Sequence, residues 1–357
     1  MRRALNPVVR YASRCERALA QGWDEFWFSP ADPTLLGVLR ILTGLMLFYT
    51  HAVWGLALDA FFGPVSWLNP GLVRAIQSDQ FVFSFWWWVP ARGIWPAHLA
   101  SMVVLALFTL GLWTRVTSAL AVFVALSYAN RVPAALFGLD QINLMLSLYL
   151  AIGPSGQALS VDRRLARRRR GAAGADPAPS VGANLAQRLI QVHMCVIYFF
   201  AGISKLQGPA WWDGEAMWLA FANLEYQTAD MLWLARHPWL VNCATHVTVL
   251  WELSFCVLIW RPLWRPLVLA MAVVLHVGIG ACLGMWTFGL IMLVGCASFL
   301  PNEAVRQFVV TLAPGRPRTA SVPGPAPAVP LGMVPRVGRP GDRDAVLTAE
   351  GGGARRS

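Results

Sequence analysis

The residue with the clearest chemical potential is Lys205, the single lysine in a chain that carries 29 lysines and arginines together. It lies near the end of the apolar stretch Tyr198-Phe-Phe-Ala-Gly-Ile-Ser-Lys-Leu206. Lysine differs from arginine because burial can remove its proton and turn it into a base. Lys205 is therefore either a base in a pocket or a cation that reaches the lipid head groups from a helix end. Spacing alone favours the second interpretation.

Several residues near Lys205 share its helix face or lie close to it. Tyr198 precedes Lys205 by seven positions, so the two side chains project from the same face, with Gly202 between them. Phe199 adjoins this face, and His193 lies about a third of a turn away around the helix. We expect Tyr198, Phe199, Gly202 and His193 to line any pocket that contains the lysine.

Two further polar residues come from the next two apolar segments. Glu252 lies in the middle of its segment, where a carboxylate is costly unless it is paired, protonated or functional. His276 shares a helix face with Gly280 and Gly284, a pattern that predicts close helix packing beside a buried imidazole. Lys205, Glu252 and His276 are expected to converge. They form either a catalytic cluster or a polar network that ties helices together.

The composition predicts the class of protein that must position these residues. The hydrophobic fraction is 57%, only 13% of residues are charged, and the mean hydropathy is +0.51. These values indicate an all-α polytopic membrane protein. The net charge of +11 comes from arginines that gather beside apolar segments, which is typical of membrane topology and not of nucleic-acid binding. The six cysteines lack metal-ligand spacing, so we expect no metal site.

The apolar segments predict eight transmembrane helices within a membrane domain at residues 34–300. We expect them at about Thr34–Leu58, Pro96–Trp113, Thr117–Asn130, Leu139–Ile152, Asn184–Lys205, Trp239–Trp260, Pro266–Leu283 and Trp286–Leu300.

The segments outside the spans have distinct compositions. Residues 1–33 predict a basic amphipathic helix on the cytoplasmic face, and residues 160–183 a flexible basic linker. Residues 59–95 are rich in aromatics and form either a lid over an outward-facing site or an interfacial belt. Residues 206–238 predict short amphipathic helices on the outer surface. Residues 301–357 predict a disordered cytoplasmic tail.

Charge distribution predicts the orientation in the membrane. With eight spans and a cytoplasmic N-terminus, every arginine-dense segment falls on the cytoplasmic side, as the positive-inside rule requires. We therefore expect both termini in the cytoplasm of a bacterial cell, the spans in its inner membrane, and Lys205 at the outer end of its helix.

Polar residues inside two other spans permit two interpretations each. Arg40 in the first span faces the interior of the bundle or reaches an anionic lipid. Asp140, Gln141 and Asn143 begin the fourth span, where they cap the helix or line a cavity.

Eight short motifs carry a resemblance to a known family. They are Tyr198-Phe-Phe-Ala-Gly-x-x-Lys-Leu, Trp212-Asp-Gly, Leu39-Arg-Ile-Leu-Thr-Gly-Leu, Phe62-Gly-Pro-x-x-Trp-Leu, Ser160-Val-Asp, Trp251-Glu-Leu-Ser, Leu275-His and Gly284-Met-Trp-Thr-Phe. Together they span about residues 34–300 in the order expected for the family, and through them the chain resembles the vitamin K-dependent γ-glutamyl carboxylase and its bacterial HTTM (horizontally transferred transmembrane) relatives.

The resemblance implies a mechanism. In the carboxylase, the lysine after Tyr-Phe-x-Ala-Gly deprotonates reduced vitamin K, and Lys205 occupies that position. The hydroquinone anion then reacts with O₂ to give an epoxide and a strong base. That base removes the γ-proton of a glutamate, to which CO₂ adds. The implied cofactor is a reduced menaquinone or another vitamin K-type quinol, and the lysine must lose solvent to act.

Two departures from the family narrow the expected function. The carboxylase has a histidine near the start of the fourth span, where this chain offers Gln141 or Asn143. The carboxylase also continues after its membrane domain into a large domain that binds the protein substrate. In this chain we expect only the disordered tail at residues 301–357, and therefore no carboxylation of a docked protein. We therefore expect quinol oxidation or epoxidation, with Lys205 as base and Glu252 and His276 as proton relays. The alternative is a non-catalytic membrane component that binds a quinone, a lipid or a protein partner.

Overall fold

The computed structural model describes residues 7–170 and 177–312, and 77% of this part of the chain is helical. Its one β-bridge joins Ala31 to Ser180. The helices of ten or more residues are α1 (Pro7–Phe28), α2 (Thr34–Gly55), α3 (Ile94–Leu110), α4 (Thr114–Arg131), α5 (Gly138–Ile152), α6 (Val161–Arg170), α7 (Val181–Leu206), α8 (Pro238–Leu258), α9 (Arg265–Leu283), α10 (Trp286–Cys296) and α11 (Asn302–Leu312).

The helices α2 to α5 and α7 to α10 lie at the eight positions where the sequence predicts spans. Five of them, α2, α3, α7, α8 and α9, are long and apolar enough to cross a bilayer. Helix α5 is apolar but shorter, and α10 meets α11 at a bend of 113°. These features confirm an all-α membrane protein.

Helix α4 is the least apolar of the eight because neighbouring helices cover its polar side chains. Ser118 and Ser127 are buried, and Tyr128 is only 2% exposed. The hydroxyl groups of Thr117 and Ser118 donate to main-chain carbonyls close by in the chain, which satisfies them without water. Polar composition here marks a helix packed between α3 and α5.

Arg40 faces the interior of the protein. Its side chain is fully buried on α2, and its guanidinium donates to the carbonyl oxygens of Ser155, Ala158 and Leu159 in the connection after α5. A guanidinium supplies several donors in a fixed fork and so can bind three carbonyls at once. This arrangement decides between the two interpretations of Arg40 in favour of the interior.

The predicted flexible linker at 160–183 contains regular structure. Residues 161–170 form α6, whose Asp162 accepts hydrogen bonds from the main-chain N–H groups of Trp113 and Thr114 at the start of α4. Burial alone would raise the pKa of the Asp162 carboxyl, but these bonds and the nearby Arg40 hold it below its usual range. The partners lie almost fifty residues away, so local composition does not reveal them. Residues 171–176 are outside the described residues.

The predicted tail at 301–357 also begins with a helix, α11. Val305 is buried against the bundle, and Arg306 Nη1 lies 3.5 Å from Asp32 Oδ2. These contacts with distant residues offset the entropy of ordering the segment, which local composition alone does not predict. Residues 313–357, where the rest of the predicted tail falls, are outside the described residues.

Helix α1 lies where the sequence predicts a basic amphipathic helix, and two side chains of α7 bind its C-terminal end. The amide nitrogen of Asn184 donates to the carbonyls of Phe26 and Trp27. The guanidinium of Arg188 stacks at 4.5 Å from the centre of the Phe26 ring. Between the spans, Leu58–Phe62, Pro70–Ile76, Pro209–Trp212 and Ala216–Phe221 are short helices.

Candidate functional site

Lys205 forms an ion pair with Glu252. The lysine Nζ on α7 lies 2.8 Å from the Glu252 Oε2 on α8, and the two side chains are 21% and 12% exposed. The ring of Trp211 lies 5.2 Å from Nζ, a distance at which an aromatic face attracts a cation. Two of the three residues predicted to converge therefore meet, and the lysine remains partly accessible.

Gly202 allows α7 and α8 to approach closely beside this pair. A Cβ atom at position 202 would lie 2.8 Å from Cδ2 of Leu253, closer than side-chain carbons pack. Leu253 is the neighbour of Glu252 in sequence, and Gly202 lies one turn before Lys205. The missing side chain at Gly202 thus brings the two charged groups within reach of each other.

His276 pairs with Tyr198 and not with the lysine. The Tyr198 hydroxyl on α7 lies 2.8 Å from His276 Nε2 on α9 and 3.2 Å from the Cys296 Sγ at the end of α10. All three side chains are at least 95% buried. The predicted cluster therefore resolves into two pairs: the partly exposed Lys205 and Glu252, and the buried Tyr198 and His276.

The close helix packing predicted beside His276 is present. A Cβ atom at Gly280 would lie 2.6 Å from the ring of Trp286 on α10. A Cβ atom at Gly289 of α10 would collide with the carbonyl oxygen of His276. Glycine at these positions lets α9 and α10 pack with their backbones close together, which encloses the imidazole.

The other predicted pocket residues are distributed over several places. Phe199 is 39% exposed on the outside of α7. His193 Nδ1 lies 2.9 Å from the hydroxyl of Tyr149 on α5 and so links the two halves of the chain. Gln141 is exposed at the start of α5, whereas Asn143 is 1% exposed and lines a separate cavity.

That cavity belongs to a second polar cluster, which is built from α2 to α5. His51 and Asn143 line it together with Tyr128. The Tyr128 hydroxyl lies 2.7 Å from His98 Nδ1. Asp140, at the start of α5, accepts a hydrogen bond from the main-chain N–H of Phe137, so it caps the helix and lines the cavity at once.

Sequence reasoning did not identify several of these partners. Cys296, Tyr149, His98 and Tyr128 each lie on a different helix from the polar group that they contact. Nothing in their local sequence indicates the partner. The sequence gives a weak indication for Trp211 as a partner of Lys205, because the pair Trp211-Trp212 begins six residues after the lysine.

The arrangement supports acid–base chemistry at one place. Lys205 and Glu252 can exchange a proton across 2.8 Å, and their partial exposure leaves Nζ open to a further group. The Tyr198–His276 pair is closed off by the rings of Trp251 and Phe255, whose centres lie 4.9 and 4.2 Å from that of Tyr198. Of the two pairs, Lys205–Glu252 is therefore the one that is open to a further group.

The fold and the site together define an all-helical membrane protein with an acid–base pair between two of its helices. The HTTM domain model matches residues 28–303, and the chain belongs to the HTTM domain family. It is thus a membrane protein related to the membrane domain of the vitamin K-dependent carboxylase. No curated protein and no solved structure matches the chain.

Proposed function

We propose that the protein binds a quinol of the menaquinone or vitamin K type in an outward-facing intramembrane pocket, where Lys205 removes a proton from a quinol hydroxyl. The observation that carries this proposal is the contact of 2.8 Å between Lys205 Nζ and Glu252 Oε2 at the end of an apolar helix. A lysine held beside a carboxylate in apolar surroundings has a route for losing its proton.

The residues around Lys205 fit a quinol. The Trp211 ring at 5.2 Å from Nζ provides aromatic surface for a flat ring, and Phe199 lies partly exposed on the outside of the same helix as Lys205. The bound quinol supplies the oxidisable ring and the acidic hydroxyl. Its apolar chain suits a site between membrane helices, where a lipid-soluble ligand enters from the bilayer.

Glu252 is the first proton acceptor in this proposal. In the ion pair Lys205 is an ammonium, which cannot act as a base. Transfer of its proton to the Glu252 carboxylate removes both charges and leaves Lys205 as an amine. The Lys205 amine then accepts the proton of the quinol hydroxyl. The deprotonated oxygen then lies beside the new ammonium, which stabilises it.

In this proposal His276 and Tyr198 are positioning groups, because their pair is closed off from the ligand. Their hydrogen bond of 2.8 Å fixes the face of α7 from which Lys205 also projects. Two of the other predicted ligand-binding residues, Gln141 and Asn143, lie on α5. His193 lies on the same helix as Lys205 but contacts Tyr149 of α5.

The proposed topology has eight spans, α2 to α5 and α7 to α10, in a bacterial inner membrane with both termini in the cytoplasm. The arginine-rich α1 and α6 support this orientation, since basic segments stay on the cytoplasmic side. Lys205 and its pocket then face the periplasm.

The test is quinol-dependent O₂ consumption, with detection of the quinone epoxide by mass spectrometry, on protein reconstituted in nanodiscs. We expect Lys205→Arg to abolish both signals while membrane insertion is unchanged, because arginine keeps the charge but does not release its proton. His246→Gln is the matched control, since His246 is exposed on α8 less than two turns before Glu252. Full activity of the arginine variant contradicts the proposal.

The second candidate function is a non-catalytic membrane component that binds a quinone, a lipid or a protein partner. The same ion pair favours it, because a bond of this length between α7 and α8 also serves as a structural tie. In this case menaquinone raises the melting temperature of the purified protein without forming an epoxide. Detection of an epoxide product excludes this candidate.

A further inference from the structure

The cavity between α2, α4 and α5 has polar walls whose hydrogen-bonding groups are not all used. Its volume is about 20 Å³, and His51, Asn143 and Tyr128 line it with Leu47 and Trp54. Asn143 is 1% and His51 is 4% exposed. The cavity lies apart from the Lys205–Glu252 pair and has no part in the proposed quinol chemistry.

The geometry fixes which hydrogens His51 carries. Its Nδ1 lies 2.8 Å from the carbonyl oxygen of Leu47, and a carbonyl only accepts, so Nδ1 bears the proton. A second proton on Nε2 would create an unpaired charge in a membrane helix, which is costly. Nε2 therefore presents a lone pair, and no group in residues 7–170 or 177–312 donates to it.

Asn143 presents the complementary groups. Its amide nitrogen and oxygen are both buried, and neither has a partner in the part of the chain that the structure describes. A buried amide group without a hydrogen-bond partner is costly. A ligand that donates one hydrogen bond and accepts another would satisfy His51 Nε2 and the Asn143 amide nitrogen together. A hydroxyl group has this property.

The size of the cavity selects among ligands with a hydroxyl group. A volume of about 20 Å³ exceeds the roughly 10–15 Å³ that one water molecule requires, and it does not admit an aromatic ring. We propose that the cavity binds one water molecule, which links α2 to α5 through His51 and Asn143. Asn143 is then a ligand of this internal water and not of the quinol.

A double-mutant cycle in nanodiscs tests the shared ligand. His51→Asn keeps a donor near the position of Nδ1 and removes Nε2, and Asn143→Leu removes the amide. Each change lowers the midpoint of thermal unfolding. The double variant is expected to lose no more than the larger single loss, because either change already expels the water. Additive losses overturn the proposal.

Thr43→Val provides the matched control. Thr43 is also a fully buried α2 residue whose hydroxyl has no partner among the described residues, but it does not line the cavity. Its effect should add to that of Asn143→Leu. An experimental map at a resolution that shows waters should contain one peak about 2.7–3.2 Å from both His51 Nε2 and the Asn143 amide. An empty cavity or a larger ligand there overturns the proposal.

Discussion

The two polar clusters of this protein accommodate polar side chains inside the helix bundle in different ways. The cluster on α7 and α8 keeps a full positive and a full negative charge and leaves both side chains partly exposed. Apart from the partly exposed Asp140 at the start of α5, the cluster on α2 to α5 consists of the uncharged and almost fully buried His51, His98, Tyr128 and Asn143. Charges inside a membrane protein are costly unless they are paired or reach water, whereas neutral groups need only hydrogen bonds.

In the proposed function, this difference assigns proton exchange to the charged cluster and helix association to the uncharged one. A charged pair that retains access to its surroundings can exchange a proton with a ligand, which is the property that the proposed function needs. Uncharged groups around a cavity of about 20 Å³ can hold helices together, but the cavity has no room for a quinol ring. The substitutions below sharpen or break this distinction.

The largest expected effect follows from removing one charge. Lys205→Met leaves the Glu252 carboxylate, 12% exposed, without its partner, and we expect a loss of about 3–5 kcal/mol in the free energy of unfolding. Thermal unfolding in nanodiscs measures it. The double variant Lys205→Met/Glu252→Leu should recover most of the loss, because no isolated charge remains.

His51→Leu is the corresponding change in the neutral cluster. It removes the bond to Leu47 and leaves no charge behind, so we expect a loss of about 1–3 kcal/mol. A loss as large as that of Lys205→Met would break the distinction between the clusters. So would failure of the double variant at positions 205 and 252 to recover stability.

The second prediction concerns the close approach that positions the charged pair. Gly202→Ala places a Cβ 2.8 Å from Leu253, which must move, and we expect a loss of about 1–3 kcal/mol together with weaker quinol-dependent activity. Gly278→Ala is the matched control, since no atom lies within 4 Å of its added Cβ. That helical substitution should stabilise the protein by roughly 0.5–1 kcal/mol. Effects of the same sign at both positions would contradict the packing argument.

The sequence predicted the helices far better than the partners of the polar residues. Each of the eight predicted spans coincides with a helix within a few residues, because a long apolar stretch is a local signal, and five of these helices are long and apolar enough to cross a bilayer. The buried position of His276 and the packing at Gly280 follow from helical periodicity and were also predictable.

The polar pairs depend on how distant helices pack, which a single sequence does not encode locally. Lys205 was expected near both Glu252 and His276, yet His276 contacts Tyr198. The same reason explains α6, where the hydrogen bonds of Asp162 to the start of α4 accompany a helix in a segment predicted as flexible. Composition there reports charge and says nothing about contacts.

The third prediction compares two buried tyrosines, one in each cluster. Tyr198 and Tyr128 are both 2% exposed, and each hydroxyl contacts a histidine nitrogen. We expect Tyr198→Phe and Tyr128→Phe each to lower the free energy of unfolding by about 0.5–1.5 kcal/mol. Only Tyr198→Phe should also lower quinol-dependent activity, because Tyr198 shares a helix face with Lys205. Equal losses of activity would remove the functional difference between the clusters.

The smallest effect is expected at the contact between the two halves. The Tyr149 hydroxyl on α5 lies 2.9 Å from His193 on α7, and both side chains are only half-buried. Water can replace the lost bond in Tyr149→Phe, so the free energy of unfolding should fall by no more than about 0.5 kcal/mol. Unchanged quinol-dependent activity would assign His193 to helix association. A marked loss of activity with unchanged stability would instead return His193 to the quinol pocket and extend that pocket across both halves of the bundle.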